Sequence, residues 1–300
     1  MLFSYVQRIK TIGVAATVML AIPFASAEEP PANKDFGFSF TPDGKTAAFY
    51  TYRNNKLPDI LLRHQNGAEV NLTNRLDTWD IEPNFSPDGS KIIYSSGVDM
   101  ASLSLRIMNA DGSDDRVFYD SDDNEVAANW SPDGTMVMFS AFNNDERTNK
   151  IYLADTHGNN VRVLTENLPG QSSNASWSAD SKHILFANRP DEKAPRDIYQ
   201  MDYDGNNLKR LTHDSMSQSA PIYSPDGHHI IYTGQIDDGY SQIYMMPVGG
   251  LKEGQKPLQL TQTSAAYHYF LSLKPDNNHI AFSQGDWEKG FSLVTIPAPH

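Results

Sequence analysis

Asp35, Asp80 and Glu125 are the carboxylates whose placement could do chemistry, because each stands five residues ahead of an aromatic that opens one and the same motif. The equivalent places further along hold Ser172, Gln218 and His268. One residue earlier stand Lys34, Trp79, Asn124, Gln171, Ser217 and Tyr267. Carboxylates brought together raise one another's pKa, and a bound cation reverses that. Trp79 and Tyr267 add aromatic faces on which an ammonium or a basic peptide end could stack. Asp35, Asp80 and Glu125 also offer the hard oxygens that calcium takes, although nothing in their spacing requires an ion. The competing reading is a hydrated channel whose polar residues merely stay wet.

The motif that fixes these positions occurs six times: Phe40-Thr-Pro-Asp-Gly44, Phe85-Ser-Pro-Asp-Gly89, Trp130-Ser-Pro-Asp-Gly134, Trp177-Ser-Ala-Asp-Ser181, Tyr223-Ser-Pro-Asp-Gly227 and Leu273-Lys-Pro-Asp-Asn277. Successive copies lie 45 to 50 residues apart. After each comes a short β-rich run such as Ile92-Ile-Tyr94, a variable loop, and a second run such as Ile198-Tyr-Gln-Met201. A glycine turn and a brief final run follow, the latter often ending in Leu-Thr, as at Leu72-Thr73, Leu164-Thr165, Leu211-Thr212 and Leu260-Thr261. Together with the run ahead of the motif, that is four short strands per copy.

Proline presets φ for the second position of a type I turn, aspartate is tolerated at the third, and glycine takes the positive φ that follows. The aspartates of the motif therefore read as turn formers. Four-stranded units of this length, repeated along a chain, stack around an axis as a β-propeller. The spacing predicts an all-β, six-bladed β-propeller. Its last blade is expected to have three strands, because the chain ends at Ile296-Pro-Ala-Pro-His300, and the ring is expected to close by packing of the first blade on the sixth. Loops entering the inner strands then gather at the channel mouth, where binding residues concentrate. The expected binding positions are Asp35, Asp80, Glu125, Gln218, His268, Trp79 and Tyr267.

Composition excludes several classes. The chain has 300 residues, 39% of them hydrophobic, enough for a folded core. A net charge of -13 argues against binding nucleic acid or an anionic membrane surface. The absence of cysteine removes disulfides, thiol catalysis and thiolate metal sites. Residues 1–27 read as a secretory signal peptide: Arg8 and Lys10, an apolar stretch from Thr11 to Phe24, then Ala25-Ser26-Ala27 before Glu28. The expected organisation is this signal, a short linker over 28–35, and the propeller over 36–300, with no transmembrane segment after cleavage and a monomeric chain.

Other candidates are weaker. Asp111-Gly-Ser-Asp-Asp115 and Asp120-Ser-Asp-Asp-Asn124 resemble calcium loops in composition but not in spacing, so solvated hairpins are expected. His213-Asp214 follows a Leu-Thr end and could join the polar ring. There is neither a Gly-x-Ser-x-Gly elbow nor a His-x-x-x-His pair.

The aromatic-Ser-Pro-Asp-Gly motif, with the Ile-Tyr and Leu-Thr runs that follow it, resembles the WD40-like PD40 repeat of TolB-type propellers over about residues 36–296. That resemblance implies a periplasmic location and a role as a protein-binding platform of the cell envelope. The same repeat occurs in prolyl-oligopeptidase-type propellers and, more distantly, in oligogalacturonate lyases, which use a histidine-bound metal. The expectation is a non-enzymatic platform for a protein or peptide, with no cofactor required and a divalent cation such as calcium admissible in the channel. The alternatives are a glycan-acting propeller enzyme, metal-dependent or not, and a sensor of a small ligand.

Overall fold

The computed structural model describes residues 35–53, 57–235, 240–263, 266–286 and 290–299. The signal peptide and the linker up to Lys34 lie outside the described residues. The repeats fold as consecutive antiparallel sheets. The first pairs β1 (Asp35–Phe40), β2 (Thr46–Thr51), β3 (Asp59–His64) and β4 (Glu69–Asn71) in order. The second does the same with β5 (Trp79–Phe85), β6 (Lys91–Gly97), β7 (Ser104–Asn109) and β8 (Arg116–Tyr119). The third repeat supplies β9 (Asn124–Trp130), β10 (Met136–Asn143), β11 (Thr148–Asp155) and β12 (Arg162–Val163). The fourth supplies β13 (Gln171–Trp177), β14 (His183–Arg189), β15 (Asp197–Asp202) and β16 (Lys209–Arg210). A parallel pairing of Asn149 with Gln171 joins these two repeats into one eight-stranded sheet. Then come β17 (Ser217–Tyr223), β18 (His229–Gln235), β19 (Gln242–Pro247) and β20 (Leu258–Gln259). The last sheet pairs β21 (Tyr267–Leu273), β22 (His279–Asp286) and β23 (Gly290–Pro297), three strands among the described residues.

The second strand of each repeat is the core of its sheet. β6 and β14 carry five consecutive buried residues each, the mark of a strand covered on both faces. Apolar side chains from adjacent repeats then mesh. Ile93, Leu105, Ile107 and Phe118 of the second repeat pack with Ala128, Val137, Phe139 and Ala154 of the third. Each such side chain contributes about 1.5–3 kcal/mol on burial. This is how a chain without disulfides holds together.

The turn motif shows its chemistry directly. Ser86 Oγ donates to Asp88 Oδ1 (2.6 Å) and accepts from Lys91 N (2.9 Å), and Gly89 N donates to Ser86 O (2.8 Å). Ser131–Asp133 and Ser178–Asp180 repeat the side-chain bond at 2.6 Å. The Ser86 hydroxyl, then the Ser90 backbone, holds the Asp88 carboxyl below its usual range. The last motif residue sits at φ 72° in Gly89, but Ser181 (60°) and Asn277 (52°) take that left-handed conformation in the two copies without glycine. The Leu-Thr signature is a clamp. The threonine hydroxyl accepts from the backbone of the third strand: Ile60 N to Thr73 (3.1 Å), Ile151 N to Thr165 (3.0 Å), Ile198 N to Thr212 (2.9 Å) and Ile243 N to Thr261 (2.9 Å). Among the described residues no helix is long and apolar enough to cross a membrane.

The first strands of successive repeats touch one another in turn, and β1 also packs on β21, β22 and β23. That last contact is made by side chains and not by strand pairing among the described residues.

Candidate functional site

Every first strand carries a β-bulge three residues ahead of its closing motif residue. There Gly37, Glu82, Ala127, Asn174, Ala220 and Phe270 all have positive φ, between 48° and 61°. In β1 the register slips between Phe36 and Ser39, and in β5 between Ile81 and Asn84. A bulge re-aims side chains locally. Here it turns them toward the next first strand. Glu82 Oε2 accepts from Ala127 N (2.7 Å), and Asn174 Oδ1 accepts from Ser219 Oγ (3.0 Å). The residues just ahead of the motif complete the stitching. Ser39 Oγ accepts from Phe85 N (3.0 Å), Asn129 Nδ2 donates to Ala175 O (3.2 Å) and Ser176 Oγ donates to Pro221 O (2.6 Å).

The six positions five residues ahead of the motif lie on the sheet faces, and all are buried. Asp35 accepts from Arg53 Nε (2.8 Å) and Arg63 Nη2 (2.6 Å), which also share Glu69. Asp80 lies beside Thr78 Oγ1 (3.3 Å) and Arg75 Nε (3.6 Å); burial raises its pKa, and the Ser96 hydroxyl and Arg75 oppose that. Glu125 accepts a short hydrogen bond from Ser121, and burial, with Asp120 and Asp123 nearby, pushes its pKa up to about 7. Ser172 donates to Asn188 Oδ1 (2.9 Å). Gln218 donates to Asp214 (2.6 Å) and accepts from Thr212 (3.2 Å). His268 Nδ1 donates to Ser241 O (2.6 Å), and burial lowers its pKa. No hydrogen bond among the described residues links any two of the six; each holds its own loop. Nor does any group of three or more His, Asp or Glu stand close enough to hold an ion among the described residues. The two calcium-like loops are spent internally. Asp115 receives Arg75 (2.8 Å), Arg106 (3.1 Å) and the Tyr94 hydroxyl (2.8 Å), and Asp123 receives Asn143 (2.7 Å).

Trp79 and Tyr267 do belong to one feature. Partly exposed rings run from Tyr240 to Tyr267 (5.0 Å between centroids), Tyr269 (5.8 Å) and Phe270 (6.4 Å). The run then passes beneath the surface through the buried Tyr50 (6.0 Å) to Tyr52 (6.3 Å) and Trp79 (6.1 Å). Glu82 lies at the end of this crescent. Its carboxyl acts on both Tyr50 and Tyr52, whose pKa values are raised by burial first and by neighbouring charge second. Burial pushes Glu82 itself up to about 7 against the Ala127 amide that it accepts from. Gly37 makes the room, since a Cβ there would come within 2.9 Å of the Tyr50 ring. An acid among aromatic faces can hold a cationic or amphipathic group.

The sequence reading missed Glu82 because it counted back to a sheet face and not to the bulge. The available signal was Gly37 in the first copy and Asn174 in the fourth, residue types that tolerate positive φ, both three places ahead of the motif.

A family model described as the PD40, TolB β-propeller domain matches residues 96–296. The chain belongs to the TolB β-propeller domain family. Solved structures agree on the fold. TolB from Acinetobacter baumannii is 22% identical with a TM-score of 0.60, the match covering 73% of this chain and 53% of that one. This chain thus spans about half the length of that TolB. A protein of Agrobacterium tumefaciens named as a TolB is 17% identical with a TM-score of 0.64, over 89% of this chain and 91% of that one. An oligogalacturonate lyase in complex with manganese is 14% identical with a TM-score of 0.62, over 89% and 90%. No curated protein matches the chain. The TolB-type domain is thus all-β, and its likeness to both TolB and lyase structures is one of fold.

Proposed function

We propose that this TolB-type chain is an exported, periplasmic, six-bladed propeller with a three-stranded last blade, acting in the cell envelope as a non-enzymatic platform that holds a protein or peptide segment. The observation that carries this reading is the aromatic crescent ending at Glu82. It offers partly exposed rings at Tyr240, Tyr267, Tyr269, Tyr52 and Trp79 with Glu82 beside Tyr52. In this reading Trp79, Tyr52, Tyr267 and Glu82 touch the partner. Asp35, Asp80, Glu125, Gln218 and His268 hold the loops that frame the mouth. Aromatic anchors of this kind dominate the energetics of protein interfaces.

The test is capture of envelope proteins on the immobilised full chain, followed by affinity measurement with the purified partner. Trp79→Ala with Tyr267→Ala should weaken that partner's binding by tenfold or more, on the order of a hot-spot loss. Unchanged affinity in the double variant would remove the crescent from the interface. A chelator should leave both binding and melting temperature unchanged, since the reading needs no ion. Turnover of a polysaccharide or glycoside by the chain, with or without manganese or calcium, would overturn the non-enzymatic reading.

A further inference from the structure

Arg196 stands where the repeat elsewhere buries an uncharged residue. It immediately precedes β15, and the same place ahead of or within the third strand holds Pro58, Leu103, Asn149, Ser241 and Phe291 in the other repeats, all of them buried. The backbone role is shared. The carbonyls of Pro58, Leu103 and Arg196 accept from the amides of Asp80, Glu125 and Gln218 in the next repeat (3.1, 2.9 and 2.9 Å). The side chain is the exception. Nε and Nη2 of Arg196 are sealed from solvent and have no hydrogen-bond partner. Among the described residues no acid lies within ion-pair distance of it, whereas Arg210 has Asp197 (2.6 Å) and Arg147 has Glu192 (3.1 Å). The charged group nearest in effect is a second cation, Arg189, and burial followed by that repulsion lowers the Arg196 pKa to about 10. Arg189 is itself spent on the carbonyls of Asp191 and Glu192. An uncompensated buried charge is strongly destabilising, and an apolar residue of similar size would remove the penalty.

We infer that Arg196 is a carboxylate-binding subsite, engaging its ligand through the Nε–Nη2 edge. Those two nitrogens lie side by side on one edge of the guanidinium and match two oxygens of a carboxylate, as they would two of a phosphate, which the test separates. The side chain as a whole is partly exposed. Engaging a ligand requires the stem to turn this sealed edge outward. The carboxylate can come from a chain terminus or from a sugar acid. The subsite is independent of the aromatic crescent and of the platform reading.

The test uses the full chain with N-acetylglycine and galacturonate as probes, N-acetylglycinamide and galactose as their neutral counterparts, and inorganic phosphate as a tetrahedral anion. The two acids, or one of them, should raise the melting temperature while the neutral probes do not. A response to N-acetylglycine alone points to a chain end, and to galacturonate alone to a sugar acid. Arg196→Leu should abolish the response and should itself melt higher than the parent in buffer, because Leu103 fills the equivalent place. Arg196→Lys should bind at least tenfold more weakly. In the parent chain the Arg196 Nε–H resonance should move on titration with the acid and not with its amide, a readout that needs no variant. Equal responses to acid and neutral probes, a response to phosphate alone, or retention of the acid response in Arg196→Leu would overturn the subsite. So would a marked fall in the melting temperature of Arg196→Leu, which would make Arg196 a structural residue.

Discussion

Two seams between repeats both bury apolar side chains but differ in what accompanies them. Where the third and fourth repeats meet, a mainly aliphatic buried cluster of Met138, Ile151, Leu153, Ile184, Phe186 and Met201 is supplemented by polar contacts. Asn149 pairs with Gln171, and Ser181 Oγ accepts from Asp133 N (3.1 Å). Where the first repeat meets the last, the join is aromatic. Phe36 contacts Phe291 (5.1 Å) and Phe270 (6.5 Å), while Tyr269 lies against Phe291 (5.7 Å). The middle seam joins segments that a short stretch of chain already holds together. The terminal seam joins segments more than 200 residues apart, and closing it costs more chain entropy. Aliphatic packing with a few directional hydrogen bonds suffices where covalent connection already keeps the partners close. The ends need aromatic burial, which contributes more per side chain.

The comparison predicts unequal losses. Phe36→Ala or Phe291→Ala should cost about 3–5 kcal/mol, as for aromatic truncation in a packed core. Ser181→Ala, which removes the bond from Asp133 N across the third–fourth seam, should cost about 1 kcal/mol, the net contribution of one hydrogen bond. Urea unfolding of the three variants checks this, and similar losses would erase the distinction between the seams.

Glu82 sits between the two regions, beside Tyr50 and Tyr52 on one side and bonded to Ala127 on the other. Its folded pKa of about 7 lies above the ordinary 4.5, so the folded chain holds a proton that the unfolded chain has released. Stability from this group is greatest at low pH and falls as pH rises from 4.5 to 7. Glu82→Gln keeps an acceptor for the Ala127 amide and removes the titration. The variant should gain about 1–3 kcal/mol over the parent at pH 8 and little at pH 5, by the usual conversion of a pKa shift. A constant difference across that range would mean that Glu82 is solvated in the folded chain. Glu125, raised to about 7 behind Ser121, should show the same sign in Glu125→Gln.

The sequence carried the fold in its turns and clamps, because each is a short-range device. Ser86, Asp88 and Gly89 determine one another within a few residues, and Thr73 reaches Ile60 through a pairing that the repeat length implies. The site was less legible for two physical reasons. A bulge breaks the period-2 alternation, so counting back from Phe85 reaches Asp80 on a sheet face and passes over Glu82 at the bulge. And Arg196 is informative only by contrast with Leu103 and Phe291, a contrast that appears once strand registers are aligned. Trp79 and Tyr267 were found by the same count because the two rings lie before the bulge.

The Leu-Thr clamp should matter less than the aromatic seam and should cost similar amounts in the repeats that carry it. Thr212→Val leaves the buried Ile198 amide without its acceptor and also removes the contacts to Asp197 and Gln218. About 1–2 kcal/mol should be lost, within the penalty for an unsatisfied buried donor. Thr73→Val, in the repeat beside the aromatic seam, should lose about the same by the same penalty. Chemical denaturation of both variants tests whether the clamp acts locally or couples to either seam.

The smallest effects separate strain from bonding in the two turns that lack glycine. Asn277, in the last repeat, holds φ at 52°, and its side chain has no hydrogen bond among the described residues. Asn277→Gly should therefore gain about 0.5 kcal/mol: relief of the left-handed conformation costs nothing in contacts, but glycine gives back part of the gain through unfolded-state entropy. Ser181, at φ 60°, also accepts from Asp133 N across the third–fourth seam. Ser181→Gly trades the same relief for that bond, and its net change should be near zero or slightly negative. Thermal melts of the two variants therefore measure the seam's hydrogen bond as the difference between them. If Ser181→Gly gained as much as Asn277→Gly, the bond to Asp133 would contribute nothing, and this seam would rest on its apolar cluster and the pairing of Asn149 with Gln171.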